Sequence, residues 1–227
     1  MAATPESMPL FPLSGVLFPG AILPLHIFEP RYLTMLADLE AFPPDDRRIG
    51  VVLTKVGSEV GDRPTIHDHG TSAAVIVRRG LPDGRELIVL LGQRRFAVAG
   101  SSWDGPYLVG QVRMLDDEEV DPGAAAPLVT KVRAAFSAYL GVVASIMGSP
   151  VDLDLDAMPD DPAGLGYWIA SRVSANPWES QAMLEAVTPA DRLDIVLRFL
   201  RRERALLAEQ GASGIALEHP GRRFSAN

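Results

Sequence analysis

Around residue 120 the hydrophobic pattern changes its period, and that change constrains the fold more than any single motif does. Up to about residue 119, short runs of aliphatic and β-branched residues alternate with turn residues; from Pro122 onward, alanine and leucine recur at helical spacing. A chain of 227 residues patterned in this way reads as two subdomains, a strand-rich one over 1–119 and a helical one over 120–210. The fold class is therefore α+β, a mixed β-barrel followed by an α-helical bundle.

In the strand-rich part, residues 22–28, 49–55, 71–79, 86–91, 96–99 and 107–115 have strand character. Leu81-Pro82-Asp83-Gly84 lies between two of them as a hairpin turn, because Asp-Gly admits the positive φ that tight turns need. Short strands joined this way predict a small barrel. One helix interrupts them at Glu29-Pro30-Arg31-Tyr32, with proline where its missing N–H is harmless and Tyr32, Leu33, Leu36 and Leu39 as the apolar stripe.

The helical part shows three starts of one kind: Asp161-Pro162, Asn176-Pro177 and Thr188-Pro189. Each sets an oxygen-bearing side chain before a proline, and Glu179 and Asp191 follow the second and third at capping-box distance. The last helix, from Pro189 to about Glu209, gathers Leu193, Val196, Leu197, Leu200 and Leu207 on one face, with arginines elsewhere. An earlier helix aligns Val129, Val132, Phe136, Val143 and Met147. Such stripes are core faces. Residues 211–227 lack periodicity and read as a loose tail.

The chain has no cysteine, which excludes disulfides and thiolate metal sites. Its net charge of −8 repels a phosphate backbone, so nucleic acid is a disfavoured partner. The apolar stretch Val16–Phe28 is broken by Pro19, Gly20 and Pro24 and fits neither a secretory signal nor a membrane span; the expected location is cytoplasmic, with no membrane partner. Lys55 and Lys131, the only lysines, do not follow glycine, so there is no phosphate-binding loop. Gly211-Ala212-Ser213-Gly214-Ile215 falls short of a nucleophile elbow at its last position.

His67-Asp68-His69, with Asp62 nearby, lacks a clear third ligand and reads as a polar loop. Asp152, Asp154 and Asp156 resemble the opening of a calcium loop, but Ala157 and Ala163 occupy the positions that need glycine and a bidentate glutamate. No catalytic residue, cofactor or metal is expected, and the chain is not expected to be an enzyme.

Three motifs near the amino terminus carry a resemblance: Met8-Pro9-Leu10-Phe11-Pro12-Leu13, Val16-Leu17-Phe18-Pro19-Gly20, and Leu23-Pro24-Leu25-His26-Ile27-Phe28-Glu29-Pro30-Arg31-Tyr32. They are continued by Gly50-Val51-Val52-Leu53, Gly70-Thr71, Leu81-Pro82-Asp83-Gly84-Arg85, Gly92-Gln93-Arg94-Arg95-Phe96 and Pro106-Tyr107-Leu108-Val109. Over roughly residues 8–207 the chain resembles the amino-terminal, substrate-binding domain of the Lon proteases. The resemblance implies a PUA-like β-barrel followed by a helical bundle. It further implies a domain that helps recognise unfolded or tagged polypeptides while separate ATPase and protease domains do the chemistry. Because the chain ends soon after its helices, it is expected to be a standalone member, a non-catalytic, ATP-independent polypeptide-binding or adaptor module.

The alternative is RNA or small-ligand binding through the barrel, which Arg78, Arg79, Arg94 and Arg95 keep open if they share a face. Candidate binding or family-motif residues are His26, Glu29, Arg31, Tyr32, Arg94, Arg95 and Phe96. Each also has a structural reading. His26 sits in an apolar strand as a hydrogen-bonded residue, Glu29 accepts from free N–H groups at the helix entry, and Arg31 pairs with an acidic neighbour. Arg95 and Phe96 fix the barrel wall. A crevice between barrel and bundle is the expected place for a ligand.

Overall fold

The computed structural model describes residues 5–43, 46–57, 63–117 and 121–212. The chain divides into two compact units that meet in sequence between Asp116 and Asp117.

The first unit contains β1 (Glu6–Leu13), β2 (Ile22–Ile27), α1 (Pro30–Asp38), β3 (Arg48–Val56), β4 (Thr65–Gly80), β5 (Glu86–Ser102) and β6 (Leu108–Leu115). The strands lie in the order β2-β5-β4-β3-β1-β6, and a further β5–β6 pairing closes five of them into a ring with β2 attached outside it on β5. Among the described strands only β1 and β3 run parallel; the other pairs are antiparallel. This is the mixed barrel of the α+β class that the sequence predicts, and closure removes most of the exposed sheet edge.

Its strands differ from the expected set in three ways, the first being that β4 begins at Thr65, six residues before its expected start at Thr71. β1 is an additional strand, although Pro9 and Pro12 argue against one. The register explains it: Glu6–Leu10 pair with β6, whereas Leu10–Leu13 pair with β3. Each proline thus has a strand on one side only, where a missing N–H costs no ladder bond. β5 is a single strand where two, 86–91 and 96–99, are expected. It passes through Gly92, whose N–H donates to the Ala21 carbonyl at 2.9 Å and whose missing side chain admits the Phe18 carbonyl. The hairpin is as expected, with Gly84 at φ +82° and the Leu81 N–H donating to the Arg85 carbonyl at 2.8 Å.

Alternation along the strands fills the barrel from two sides. Phe11, Leu25, Ile27, Ile49, Ile88 and Leu90 pack with Tyr32, Met35 and Leu36 of α1, and Met8, Leu10, Val52, Phe96, Leu108 and Val112 form a second cluster. Gly50 and Gly70 leave room for the Phe96 ring: a Cβ on either would lie within 3 Å of ring carbons.

Among the described residues the second unit contains α2 (Pro122–Met147), α3 (Pro162–Ala170), α4 (Pro177–Glu185) and α5 (Pro189–Ala212). The three expected starts are the starts of α3, α4 and α5. Asp161 accepts from the Gly164 N–H at 2.6 Å, Asn176 and Glu179 close a full capping box, and Thr188 and Asp191 exchange the same pair of bonds at 3.1 and 3.3 Å. Asp121 makes α2 a fourth case, accepting from the N–H groups of Gly123 and Ala124 at 3.2 Å. α5 runs to Ala212, three residues past its expected end, so Gly211 and Ala212 belong to the helix; residues 213–227 of the expected tail lie outside the described residues.

Leu193, Val196, Leu197 and Leu200 are buried as their stripe requires. In α2 the stripe is buried at Val132 and Phe136, half-buried at Val129 and Val143, and exposed at Met147. Among the described residues α2 alone is long and apolar enough, over Gly123–Met147, to cross a membrane by length and composition. Phe136 meets Trp168 of α3 edge-on at 5.8 Å between ring centroids, while Trp178 stays 59% exposed.

The expectation that the arginines of α5 lie off its buried face fails at Arg192, which is fully buried. Its guanidinium stacks on Tyr167 at 3.9 Å and donates to the Asp117 carboxylate at 2.8 Å and to the carbonyls of Met183 and Ala186. The Tyr167 hydroxyl donates to the same carboxylate at 2.8 Å. Burial of a cation is tolerable only with acceptors this numerous.

Candidate functional site

Each of the surfaces described next lies within one unit. The register of β2, β5 and β4 determines which side chains share the outer face of the barrel. Leu23, Leu25 and Ile27 align with Leu90, Ile88 and Glu86 on the inner side, so their neighbours point outward. Three cross-strand rows result: Ile22–Leu91–Ala74, Pro24–Val89–Val77 and His26–Leu87–Arg79. Ile76 joins them at the bulge between Val75 and Val77.

Alternation against one buried face ordinarily makes the other face polar. Here two of the three outward rows are wholly apolar, with Ile22 64%, Val77 50% and Ile76 48% exposed. Soluble proteins seldom leave contiguous aliphatic surface of this kind uncovered unless something docks on it. His26 and Arg79, both exposed, close one end of the patch with polar groups. The far edge of β2 bears no further strand among the described residues, and Pro24 in its middle has no N–H to offer an incoming one. The patch therefore offers apolar side chains rather than a free ladder edge.

A second feature of the barrel unit is a recess of about 500 Å³ walled by Ile66, Val98, Leu108, Trp103, Arg63 and Asp68. Two guanidinium groups, Arg31 and Arg63, each lie 5.7 Å from the Trp103 ring. Arg31 also lies 4.6 Å over Tyr32 and pairs with Glu29 at 3.0 Å.

These arrangements locate the seven residues singled out from the sequence. Glu29, Arg31 and Tyr32 form one group at the entry of α1. Arg31 has its expected acidic neighbour in Glu29, whereas Glu29 makes no side-chain cap to the helix N–H groups. With a guanidinium at 3.0 Å, the carboxylate is already engaged. Tyr32 is buried edge-on against Phe11 at 4.2 Å. Arg95 and Phe96 are buried in the barrel wall, and Arg94 pairs with Asp116 at 2.5 Å. Of the seven, His26 alone lies beside the apolar face; it is exposed and, among the described residues, makes no side-chain hydrogen bond, contrary to its expected role as a hydrogen-bonded strand residue.

The four arginines proposed as a basic face do not form one. Arg78 is held by Glu86 at 2.8 Å, by Glu40 at 2.7 Å and by the Leu36 carbonyl at 2.9 Å. Arg94 has Asp116, Arg95 is buried, and Arg79 alone of the four stands exposed without an ion pair among the described residues. His67-Asp68-His69 is not the expected polar loop: it lies within β4, with His67 buried and Asp68 paired with Lys55 at 3.3 Å, while Asp62 lies outside the described residues. No cluster of three or more potential metal ligands occurs among the described residues.

Sequence reasoning missed the apolar face because its residues come from three strands and each strand alone looks ordinary. The signal available was the absence of polar residues at alternate positions in Ile22–Leu25 and Leu87–Leu91. Trp103 was missed for want of a motif.

The sequence model of the ATP-dependent protease La (LON) substrate-binding domain matches residues 7–202. Among full-length relatives, the Lon protease of Roseiflexus castenholzii is 29% identical over 205 residues, covering 89% of this chain and 25% of that protein. Lon protease 1 of Myxococcus xanthus is 28% identical over 206 residues, covering 88% of this chain and 25% of that protein. The chain thus spans about a quarter of the length of these relatives. A solved Lon N-terminal domain protein from Xanthomonas campestris superposes with a TM-score of 0.61 at 27% identity, covering 86% of this chain and 98% of that one. The N-terminal domain of a Mycobacterium avium complex Lon protease shares the fold, with a TM-score of 0.66 at 17% identity and the same coverage.

Proposed function

The chain belongs to the Lon substrate-binding domain family, and from that premise we propose that it is a non-catalytic module that binds unfolded polypeptides, without ATP, on the outer face of β2, β5 and β4. The observation that carries this reading is the pair of wholly apolar rows, Ile22–Leu91–Ala74 and Pro24–Val89–Val77, lying side by side with Ile22, Pro24 and Val77 exposed and the other three half-buried. Apolar side chains are what an unfolded polypeptide displays and a folded one conceals. An apolar patch of this kind would bind them with little sequence preference. The polar end at His26 and Arg79 gives the patch a direction. The proposed setting is the cytoplasm, and the proposed partners are unfolded or tagged polypeptides or a protein that presents such a segment.

The test is a titration of a fluorescently labelled, permanently unfolded model polypeptide with the full chain, in the absence of nucleotide. Saturable binding is expected, and the double substitution Ile22→Asp/Val77→Asp should weaken it about tenfold or more. Each site would lose roughly 1 kcal/mol of a half-buried aliphatic contact. No saturable binding by the wild type, or equal binding by a folded double variant, overturns the reading.

A further inference from the structure

The helical unit carries a second surface with quite different chemistry. α2 and α5 pack against each other, and between them runs a groove of about 330 Å³. Its floor is Ala134, Ala135 and Ala138 of α2 with Leu200 of α5, and its rim is Lys131, Arg201 and Arg204. Lys131 precedes the alanines by three, four and seven positions and Arg204 follows Arg201 by three, so each set lies on one face of its helix.

The rim cations differ from the other described cations of their unit. Arg133 is paired with Asp160, Arg198 with Asp194, Arg202 with Glu179 and Glu203, and Arg192 with Asp117. Arg172 lies 3.9 Å over Trp168 and donates to its carbonyl. Lys131, Arg201 and Arg204 are all exposed and, among the described residues, none has a carboxylate or carbonyl partner. In a chain of net charge −8, three such cations around one apolar trough are a local reversal of sign.

We propose that this groove docks an acidic amphipathic helix of a partner protein. The alanine floor is shallow, so the backbone of a third helix can approach closely and set small or aliphatic side chains between α2 and α5. Carboxylates one helical turn apart on that helix then meet the rim, where like charges would be repelled. Nucleic acid fits the same charge less well: the groove has no aromatic side chain for base stacking, and three cations on an otherwise acidic protein neutralise few phosphates. This site is separate from the apolar barrel face and goes beyond the polypeptide-binding reading.

The probe is a synthetic peptide helix with leucines on one face and glutamates flanking them, labelled for anisotropy and titrated with the full chain at low and moderate salt. The expected result is saturable binding that weakens as salt rises. Lys131→Gln/Arg201→Gln/Arg204→Gln should weaken it about tenfold or more, three rim pairs each contributing modestly. These positions are exposed and glutamine is a good helix former, so an unchanged circular dichroism melt shows that the variant keeps its fold. Ile22→Asp/Val77→Asp should bind the acidic helix normally, which separates this site from the first. Equal affinity of the triple variant, equal affinity for a peptide with glutamine in place of every glutamate, or tighter binding of a single-stranded oligonucleotide would each overturn the proposal.

Discussion

Arg192 and Asp117, 75 positions apart in the chain, meet at 2.8 Å with the guanidinium wholly withdrawn from solvent. Tyr167 completes the arrangement, its ring under the guanidinium and its hydroxyl on the same carboxylate. The contact fastens the segment ahead of α2 to α3 and α5, and it also caps the α4–α5 connection through the carbonyls of Met183 and Ala186. Gly166 allows it, since a Cβ there would lie 3.1 Å from Arg192 Cδ.

Removing one partner of a buried pair leaves the other charge and its acceptors stranded. Arg192→Ala is therefore expected to destabilise the helical unit by about 3 kcal/mol. Urea denaturation followed by far-ultraviolet circular dichroism measures it, and a loss below about 1 kcal/mol would show the cluster to be dispensable. Arg192→Lys should recover only part of the loss, because an ammonium cannot stack on Tyr167 while reaching three separate acceptors.

Arg192 also marks where sequence reasoning stops. Helix starts were legible because proline after an oxygen-bearing residue is a local signal, and all of Asp161, Asn176 and Thr188 act as read. The barrel hairpin was legible at Gly84 for the same reason. A buried arginine is set by partners in other helices, and on a helical wheel it resembles any surface arginine. β1 was hidden because Pro9 and Pro12 are forbidden only if both edges are paired, and edge pairing is not local information. The apolar outer face needed the register of three strands at once, whereas the family motifs around Glu29 and Phe96 proved to be mostly core and wall.

The Phe96 ring makes a sharp stability prediction. At Gly70 a Cβ would collide with the Val51 carbonyl and lie 2.6 Å from Phe96 Cζ, with backbone on one side and a fully buried ring on the other. Gly70→Ala should cost about 1–3 kcal/mol. Gly100→Ala, at a β5 position with nothing within 4 Å of the added carbon, should change stability by no more than about 0.5 kcal/mol. Paired thermal melts decide it: similar melting points for the two variants would refute the packing argument.

Acid should loosen the hairpin before the rest of the barrel. The Arg78 guanidinium, bonded to both oxygens of Glu86, holds that carboxyl below the usual range. A folded-state value below the unfolded one contributes stability above the ordinary glutamate range, near pH ~4.3, and that contribution is lost as pH falls through the folded value. Arg78→Met should flatten the acid limb of the stability curve and leave the alkaline limb unchanged. An unaltered acid limb in the variant would remove Glu86 from the account.

At the opposite end of the pH scale, Tyr107 reports on the contact between β6 and α1. Its hydroxyl donates to Asp38 at 2.8 Å, and burial together with that carboxylate pushes the phenol up to about 12. Because the folded value exceeds the unfolded one, near ~10, the contribution is fully present below pH ~10 and is lost as pH rises through about 12. Ionising the phenol would set two anions against each other at hydrogen-bond distance, so alkali should release the start of β6 from α1. An ultraviolet titration of the wild type against Tyr107→Phe isolates this one phenolate. The difference between them should emerge well above the ordinary tyrosine range, and Asp38→Asn should bring it down while keeping the fold. A difference that emerges near pH ~10 in the wild type would mean that the hydroxyl is free in solution and that Asp38 does not hold it.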